Sequence, residues 1–205
     1  MFYRLAPQLV IRSAWRPYRS RPGDRVLTLR SGTAFPPSHS TTQLCLELLA
    51  AAQMEKPANT FLDVGCGGGI LALAGARLGI AFSVGIDPSA AAIRVAQDNA
   101  RRNRLSGQVH WLQGSTEALR GHFELVVANL PWTVHMAKVM ELQRLTYPQG
   151  RLILSGFRET QEQTLLTLYL NQGWQLHRRA TLDRWEIELP AERSYTWVGL
   201  TLGYQ

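Results

Sequence analysis

The chain reads as an α/β protein: a doubly wound, mostly parallel seven-stranded sheet with an antiparallel edge strand. Short apolar runs alternate with helix-forming stretches between residues 60 and 172, the pattern that crossover helices impose on a parallel sheet. The run Phe61-Leu62-Asp63-Val64 breaks into Gly65-Cys66-Gly67-Gly68-Gly69 before a helical stretch, as a strand–turn–helix unit does at the carboxyl end of such a sheet. Two extended stretches, near 174–188 and 195–202, follow one another with no helix between them, and so finish the sheet antiparallel.

Residues 1–35 form a leader rich in proline and arginine (Arg12, Arg16, Arg19, Arg21, Arg25 and Arg30). It holds one strand candidate, Val26-Leu27-Thr28-Leu29, and is expected to pack on the domain formed by residues 36–205. From Ser40 to Met54, Leu44, Leu46, Leu48 and Leu49 among alanines predict a helix, with Ser40 or Thr41 as its cap. The alternating units follow: strand 60–64, helix 69–78, strand 81–86, helix 89–103, then strands 108–112 and 123–129. A helix over 134–145 leads to Tyr147-Pro148-Gln149-Gly150, a turn signal before strand 151–155, and a helix over 159–172 precedes the final pair.

Composition narrows the class. A chain of 205 residues with 45% hydrophobic content can bury a single core. It has no apolar run of some 18 residues, so a membrane span is not expected. Met1-Phe2-Tyr3-Arg4-Leu5-Ala6-Pro7 lacks a basic stretch followed by an apolar one, so no signal peptide is read. Cys45 and Cys66 have no metal-ligand spacing, which points to a metal-free protein in a reducing cytoplasm. The net charge of +7 is carried almost wholly by arginine, since Lys56 and Lys138 are the only lysines. Such charge suits an acidic or polyanionic partner, and leaves both a protein and a nucleic acid open. The oligomeric state is not legible.

Three motifs carry chemistry. The loop reads D-x-G-x-G-x-G from Asp63 to Gly69, unlike the G-x-G-x-x-G of dinucleotide sites. Strand 81–86 ends at Asp87, where a carboxylate can accept both hydroxyls of a ribose. Strand 123–129 ends in Asn129-Leu130-Pro131-Trp132. The side-chain oxygen of Asn129 and a nearby backbone carbonyl can accept hydrogens from a planar nitrogen and orient its lone pair. Pro131 stiffens the turn, and Trp132 can stack on a flat group or face a developing cation. These three residues are the expected catalytic set. A lysine acceptor would instead need a path for a proton, and the nearest acid in the strand, Glu124, lies at its far end.

In this order the motifs resemble those of the Rossmann-like S-adenosylmethionine methyltransferases. The tetrad is similar to the Asn/Asp-Pro-Pro-aromatic signature of enzymes that methylate planar nitrogen. Residues 32–42, Gly-Thr-Ala-Phe-Pro-Pro-Ser-His-Ser-Thr-Thr, sharpen the likeness. With Gln-Leu-Cys-Leu-Glu after them, they resemble the bacterial family that methylates a ribosomal protein of the large-subunit stalk base. The similarity continues through Gly-Ile-Asp87, Asp98-Asn99-Ala100-x-x-Asn103, Val-Val-Ala-Asn129 and Gly150 to Gly156. It implies S-adenosyl-L-methionine as cofactor, a nitrogen of a protein as acceptor, a ribosomal one included, and cofactor contacts at Thr42, Gly65, Asp87 and Asn129. Gly67 belongs to the same loop, and Asp63 joins the cofactor set chiefly by ordering that loop. An RNA or DNA amino-methyltransferase, or a cofactor-binding module without turnover, are the other readings.

The chain departs from that family in three places. Its amino-terminal recognition domain is not matched; Pro36-Pro37-Ser38 stands for Gly-Thr-Gly and stiffens the loop; and Leu130-Pro131-Trp132 follows the asparagine. Ser115 stands where many relatives carry an acid for the adenine amino group. His39 either lines the cleft or is a satisfied loop residue, whereas His110, His122, His135 and His177 show no ligand or base spacing. Arg101-Arg102-Asn103-Arg104 reads as a solvated helix end.

Overall fold

The computed structural model describes residues 2–4, 9–13, 17–30, 36–184 and 195–204. The main sheet contains β4 (Thr60–Val64), β5 (Phe82–Asp87), β6 (Val109–Gln113), β7 (Phe123–Asn129), β8 (Thr146–Arg158), β9 (Gln175–Arg184) and β10 (Tyr195–Gly203). Their order is β6-β5-β4-β7-β8-β10-β9, parallel from β6 to β8, with β10 antiparallel to both β8 and β9. The expected doubly wound α/β class is therefore the one observed. Five helices accompany it: α1 (Ser40–Glu55), α2 (Ile70–Arg77), α3 (Ala90–Asn103), α4 (Trp132–Leu145) and α5 (Glu159–Leu170).

Alternation along the strands divides the core into two layers. Phe61, Leu125, Val127 and Ile153 face α1 and α2, where Leu46, Leu49 and Leu73 are fully buried. Leu62, Val126, Leu152 and Leu154 face α4 and α5, against Leu142, Leu165 and Tyr169. Helices on both faces explain why the central strands are apolar throughout rather than alternating. No helix among the described residues is long and apolar enough to cross a membrane.

The amino-terminal region contains more structure than its single strand candidate. β1 (Phe2–Arg4) pairs antiparallel with β2 (Leu9–Ser13), which pairs in parallel with β3 (Arg25–Leu29). Leu9, Ile11 and Leu27 join the layer of α1 and α2. Arg12 donates through Nε to Thr28 Oγ1 at 3.0 Å, Arg19 and Arg21 are exposed, and Arg16 lies outside the described residues. Two asparagines of α3 tie β3 down by imitating a neighbouring strand. Asn103 accepts from the Thr28 N–H at 2.8 Å and donates to the Thr28 carbonyl at 2.8 Å. One turn earlier, Asn99 accepts from the Arg30 N–H at 2.9 Å and donates to the Gly68 carbonyl at 3.0 Å.

Several boundaries differ from expectation for local reasons. α1 is capped by His39, whose Nδ1 receives the Thr41 N–H, rather than by Ser40 or Thr41. α4 starts at Trp132, directly after Pro131, whose fixed φ of −56° suits a helix entry while its ψ of 148° keeps it outside the helix as the cap residue. The turn at 147–150 is drawn into β8: Thr146 pairs with Phe123 and Arg151 with Leu125, so the residues between bulge out and Pro148 needs no ladder partner. α5 stops at Leu170, and the stretch 185–188, expected to be strand, lies outside the described residues.

Asp63 closes the unit built on β4. It is 1% exposed, and its Oδ2 accepts the Ala72 N–H at 3.0 Å, capping α2, whose own cap residue Gly69 has no side chain to offer. Burial pushes its pKa up to about 7; the Ala72 hydrogen bond opposes this and the Asp87 charge adds to it.

Two outcomes are expected. Asn103→Ala leaves both polar groups of Thr28 unpaired and should cost about 2–3 kcal/mol in urea unfolding, with faster amide exchange at Thr28. Asp63 binds its proton more tightly folded than unfolded, so its contribution to stability falls as pH rises from about 4 to about 7. Asp63→Asn keeps an acceptor for Ala72 without that dependence. Its stability relative to the natural protein should therefore rise through that window and level off above it.

Candidate active site

A cleft of about 510 Å³ opens at the carboxyl ends of β4, β5 and β7. From β4 the sheet continues to β5 on one side and to β7 on the other, which makes this the topological switch point where doubly wound sheets bind ligands. Its floor is the glycine turn, with φ of 69° at Gly65, 52° at Gly67 and 80° at Gly69. Gly65 and Cys66 donate their N–H groups to the Ile86 carbonyl at 2.9 and 3.0 Å. A Cβ on Gly65 would strike Leu130 at 2.5 Å and one on Gly69 the Trp111 ring at 2.4 Å, whereas one on Gly67 would meet nothing within 4 Å. Gly67 thus leaves its backbone open to a ligand.

Asp87 stands on the next wall. Its Oδ2 accepts the Gly67 N–H at 2.9 Å and its Oδ1 the Ser89 N–H at 2.8 Å. Each oxygen keeps one lone-pair direction for a further donor, and the carboxylate is held in one orientation while it does so.

The third wall is the end of β7. Asn129, Leu130 and Pro131 line the cleft, and the Asn129 Oδ1 is buried with no hydrogen-bond partner among the described residues. The Ser155 carbonyl fixes this segment by accepting the Leu130 N–H at 3.0 Å and lying 2.8 Å from His135 Nε2. His135 is fully buried, and burial lowers its pKa to about 4, so the ring is neutral and Nε2 carries the hydrogen it donates. Gly156, at φ 103°, admits the Leu130 carbonyl to 2.1 Å from where a Cβ would stand. His135, which showed no ligand or base spacing, is thus a support of the tetrad.

Not every expected residue reaches the cleft. Gly65, Gly67, Asp87, Asn129 and Pro131 line it; Asp63 lies beneath it, Thr42 is 2% exposed on the first turn of α1, and Trp132 rests against Phe157 with ring centroids 6.5 Å apart. Thr42 Oγ1 is likewise buried without a partner among the described residues. Of the loop 32–42, residues 32–35 lie outside the described residues. His39 meets Trp197 at 5.5 Å, Trp197 meets Tyr195 at 5.1 Å, and Arg158 lies 4.1 Å over the Tyr195 ring, forming an aromatic group at the ends of β8 and β10. The burial-raised pKa of Cys66 keeps it a thiol, which excludes it as a nucleophile at neutral pH.

Sequence reasoning missed Thr116 and Lys138. Lys138 lines the cleft from α4, donates to Ser115 Oγ at 3.0 Å and pairs with Glu117. Thr116 Oγ1 is buried without a partner among the described residues. The signal was faint: Lys138 falls four residues after Val134, on the face of α4 turned to the cleft.

Comparison with known proteins bears on the family and the fold. The model of the ribosomal protein L11 methyltransferase (PrmA) family matches residues 3–190. A ribosomal protein L11 methyltransferase of Desulforapulum autotrophicum is 37% identical over 192 residues, covering 92% of this chain and 62% of that protein. One from Syntrophotalea carbinolica is 40% identical over 172 residues, covering 83% and 56%. The chain thus spans about six-tenths of the length of these curated relatives. The crystal structure of a ribosomal protein L11 methylase from Lactobacillus delbrueckii subsp. bulgaricus superposes with a TM-score of 0.81 at 25% identity, over 100% of this chain and 97% of that one. An O-methyltransferase from Bacillus cereus, solved in complex with SAH, shares the fold at a TM-score of 0.59 and 15% identity, over 80% and 81%. On the sequence match and the architecture together, the chain belongs to the ribosomal protein L11 methyltransferase (PrmA) family.

Proposed function

We propose that this protein is an S-adenosyl-L-methionine-dependent methyltransferase acting on a nitrogen of a protein substrate, with ribosomal protein L11 as the substrate its relatives' names suggest. The observation that carries the reading is Asn129: a buried, unpartnered carbonyl oxygen at the end of β7, on the wall that completes a cleft formed by the glycine turn and Asp87. An orphan acceptor in a cleft is a group waiting for a donor.

The residues fit the cofactor. Open space beside Gly67 admits a ligand against backbone, and the two fixed oxygens of Asp87 match a pair of ribose hydroxyls. The bound cofactor would supply a methyl group on a sulfonium, already a good leaving group. The protein's task is then mainly to bind, orient and exclude water. In this reading Asn129 Oδ1 accepts a hydrogen from the acceptor nitrogen and aims its lone pair, and Pro131 and the Ser155 carbonyl keep it there. Thr42 and Asp63 act from behind the wall, Asp63 by holding the turn through α2. Trp132 packs on Phe157, so a stacking platform for a nucleobase has less support than a protein acceptor. We also read β1–β3 as part of the same domain, supported by the burial of Leu9, Ile11 and Leu27 in the common core.

Asp87→Ala removes two charge-assisted hydrogen bonds, each worth about 1.5–3 kcal/mol, and should weaken calorimetric binding of S-adenosylhomocysteine at least tenfold. Unchanged affinity in a folded variant would remove the acid from the site. Asn129→Ala should lower the single-turnover rate of methyl transfer to purified L11 while changing cofactor affinity only a few-fold, because the oxygen acts on the acceptor in the transition state. Collapse of cofactor binding instead would make Asn129 chiefly a cofactor ligand.

A further inference from the structure

Among the described residues, β6 passes to β7 through a single 3-10 turn, Thr116–Ala118. Gly114, Ser115 and Thr116, at the start of this passage, line the cleft. The backbone bonds of the turn are short-range: the Ala118 N–H donates to the Ser115 carbonyl at 3.0 Å and the Leu119 N–H to the Thr116 carbonyl at 3.1 Å. One turn of this kind does not support itself, because a first turn fixes several dihedrals for each bond it gains.

Two cations of α4 supply the support. Lys138 donates to Ser115 Oγ at 3.0 Å and pairs with Glu117. Arg144 donates through Nη1 to the Leu119 carbonyl at 3.1 Å and through Nη2 to the Thr116 carbonyl at 3.2 Å. The hydrogen bond from Lys138, helped by one from Ser115, holds the Glu117 carboxyl down at about 2, so the pair is ionised at neutral pH. Lys138 lines the cleft one helical turn beyond Val134, on the same face of α4. The Glu117 side chain is 61% exposed, and an ion pair with such a partner adds little to stability. Its consequence is geometric: it sets where Ser115 and Thr116 stand.

The place of this wall follows from Asp87. Gly67 meets the Asp87 carboxylate on one side, and on the other the Gly114 N–H donates to the Asp87 carbonyl at 3.0 Å. A nucleoside anchored there by its ribose carries its base and its tail on different carbons of the ring. With the tail directed to the glycine turn and Asn129, the base is left for the stretch that begins at Gly114. The N–H groups of Ser115 and Thr116 open a helical turn, so the turn itself gives them no acceptor. A purine ring nitrogen is one.

We propose that Lys138 is a positioning residue for the cofactor base: through Ser115 and Glu117 it aims the backbone N–H groups of Ser115 and Thr116 at a ring nitrogen of adenine. The inference rests on the methyl-transfer reading and adds to it a residue that acts through the wall. Adenine offers an unprotonated ring nitrogen beside its amino group, where hypoxanthine carries N–H. An aimed N–H therefore separates the two bases, and a slack one does not.

The test is calorimetric binding of S-adenosylhomocysteine and of S-inosylhomocysteine, which share ribose and tail and differ in the base. Lys138→Met should weaken the adenosyl ligand about fivefold, the size of one hydrogen bond, and change the inosyl ligand by less than about twofold. The single-turnover rate of methyl transfer at saturating cofactor should stay within about twofold of the natural protein, because the bridge acts on binding. The swap Lys138→Glu/Glu117→Lys should recover most of the adenosyl affinity that Lys138→Glu alone loses, since the Ser115 hydroxyl can serve either partner. Lys56→Met, which removes the other lysine at the opposite edge of the sheet, should bind as the natural protein does. Unchanged adenosyl affinity in Lys138→Met, equal losses for the two ligands, or a swap no better than Lys138→Glu overturns the proposal. If the natural protein itself binds no S-adenosylhomocysteine, the methyl-transfer reading falls and this inference with it; a failure confined to the variants leaves that reading standing. Should Lys138→Met unfold, Glu117→Ala, at an exposed side chain, carries the same comparison of the two ligands.

Discussion

The turn after β4 is the constraint on which the site depends. Three of its residues stand in the left-handed region, and none of them has a side chain to hold that shape. Neighbours do so instead. The Ile86 carbonyl takes two of its N–H groups, Asp87 a third, and Asn99 reaches from α3 to the Gly68 carbonyl. From below, Asp63 fixes α2 through Ala72. The conformation of the floor is therefore a property of β5, α3 and α2 together. Asn99 also accepts from the Arg30 backbone at the end of β3, so the amino-terminal sheet and the floor share one side chain.

The wall opposite follows the same logic with a different anchor. One carbonyl, that of Ser155, receives the Leu130 N–H and the imidazole of His135, and the Ser155 hydroxyl donates to the Val198 carbonyl of β10 at 2.7 Å. That chain joins β7, α4, β8 and β10 around Asn129. Its effect is to hold the end of β7 in place while the Asn129 oxygen stays unpaired. Burying an unpaired amide oxygen costs on the order of 1–3 kcal/mol, a cost that a well-supported wall can carry and a loose one would relax away.

The architecture was legible because its signals are strong and local. Apolar runs buried on both faces, glycines at 65, 67 and 69, and acids at strand ends all follow from backbone chemistry that a sequence displays directly. β1 and β2 were not legible. Their pairing is set by contacts with β3 and by Leu9 and Ile11 meeting helices that come later in the chain. The cap at His39 was missed because histidine seldom plays that part, and the bulge at Tyr147–Gly150 because a proline signal marks a break without saying whether the strand resumes. In the site, Gly65, Gly67, Asp87 and Asn129 could be named from motifs, since each sits at a strand end. Lys138 could not, because it reaches the cleft from the second turn of a helix whose start was placed two residues late. Trp132 was read from its motif as a stacking group, yet its ring direction is set by the helix it begins, and that turns it toward Phe157.

The electrostatics of the cleft bear on what chemistry suits it. Burial keeps Cys66 a thiol and His135 neutral, and it raises Asp63 toward its proton-bearing form. The charged side chains left on the cleft wall are Asp87, fixed by two backbone donors, and Lys138, neutralised by Glu117. No positioned base or nucleophile faces the space between them, and no group of three or more potential metal ligands converges among the described residues. Such a surface has little to contribute to proton transfer and much to contribute to alignment. It is suited to a reaction whose driving force arrives with a ligand, which is the physical content of the proposed methyl transfer: in that reading Asp87 would hold an adenosine-bearing group by its ribose and the Asn129 oxygen would meet the acceptor nitrogen.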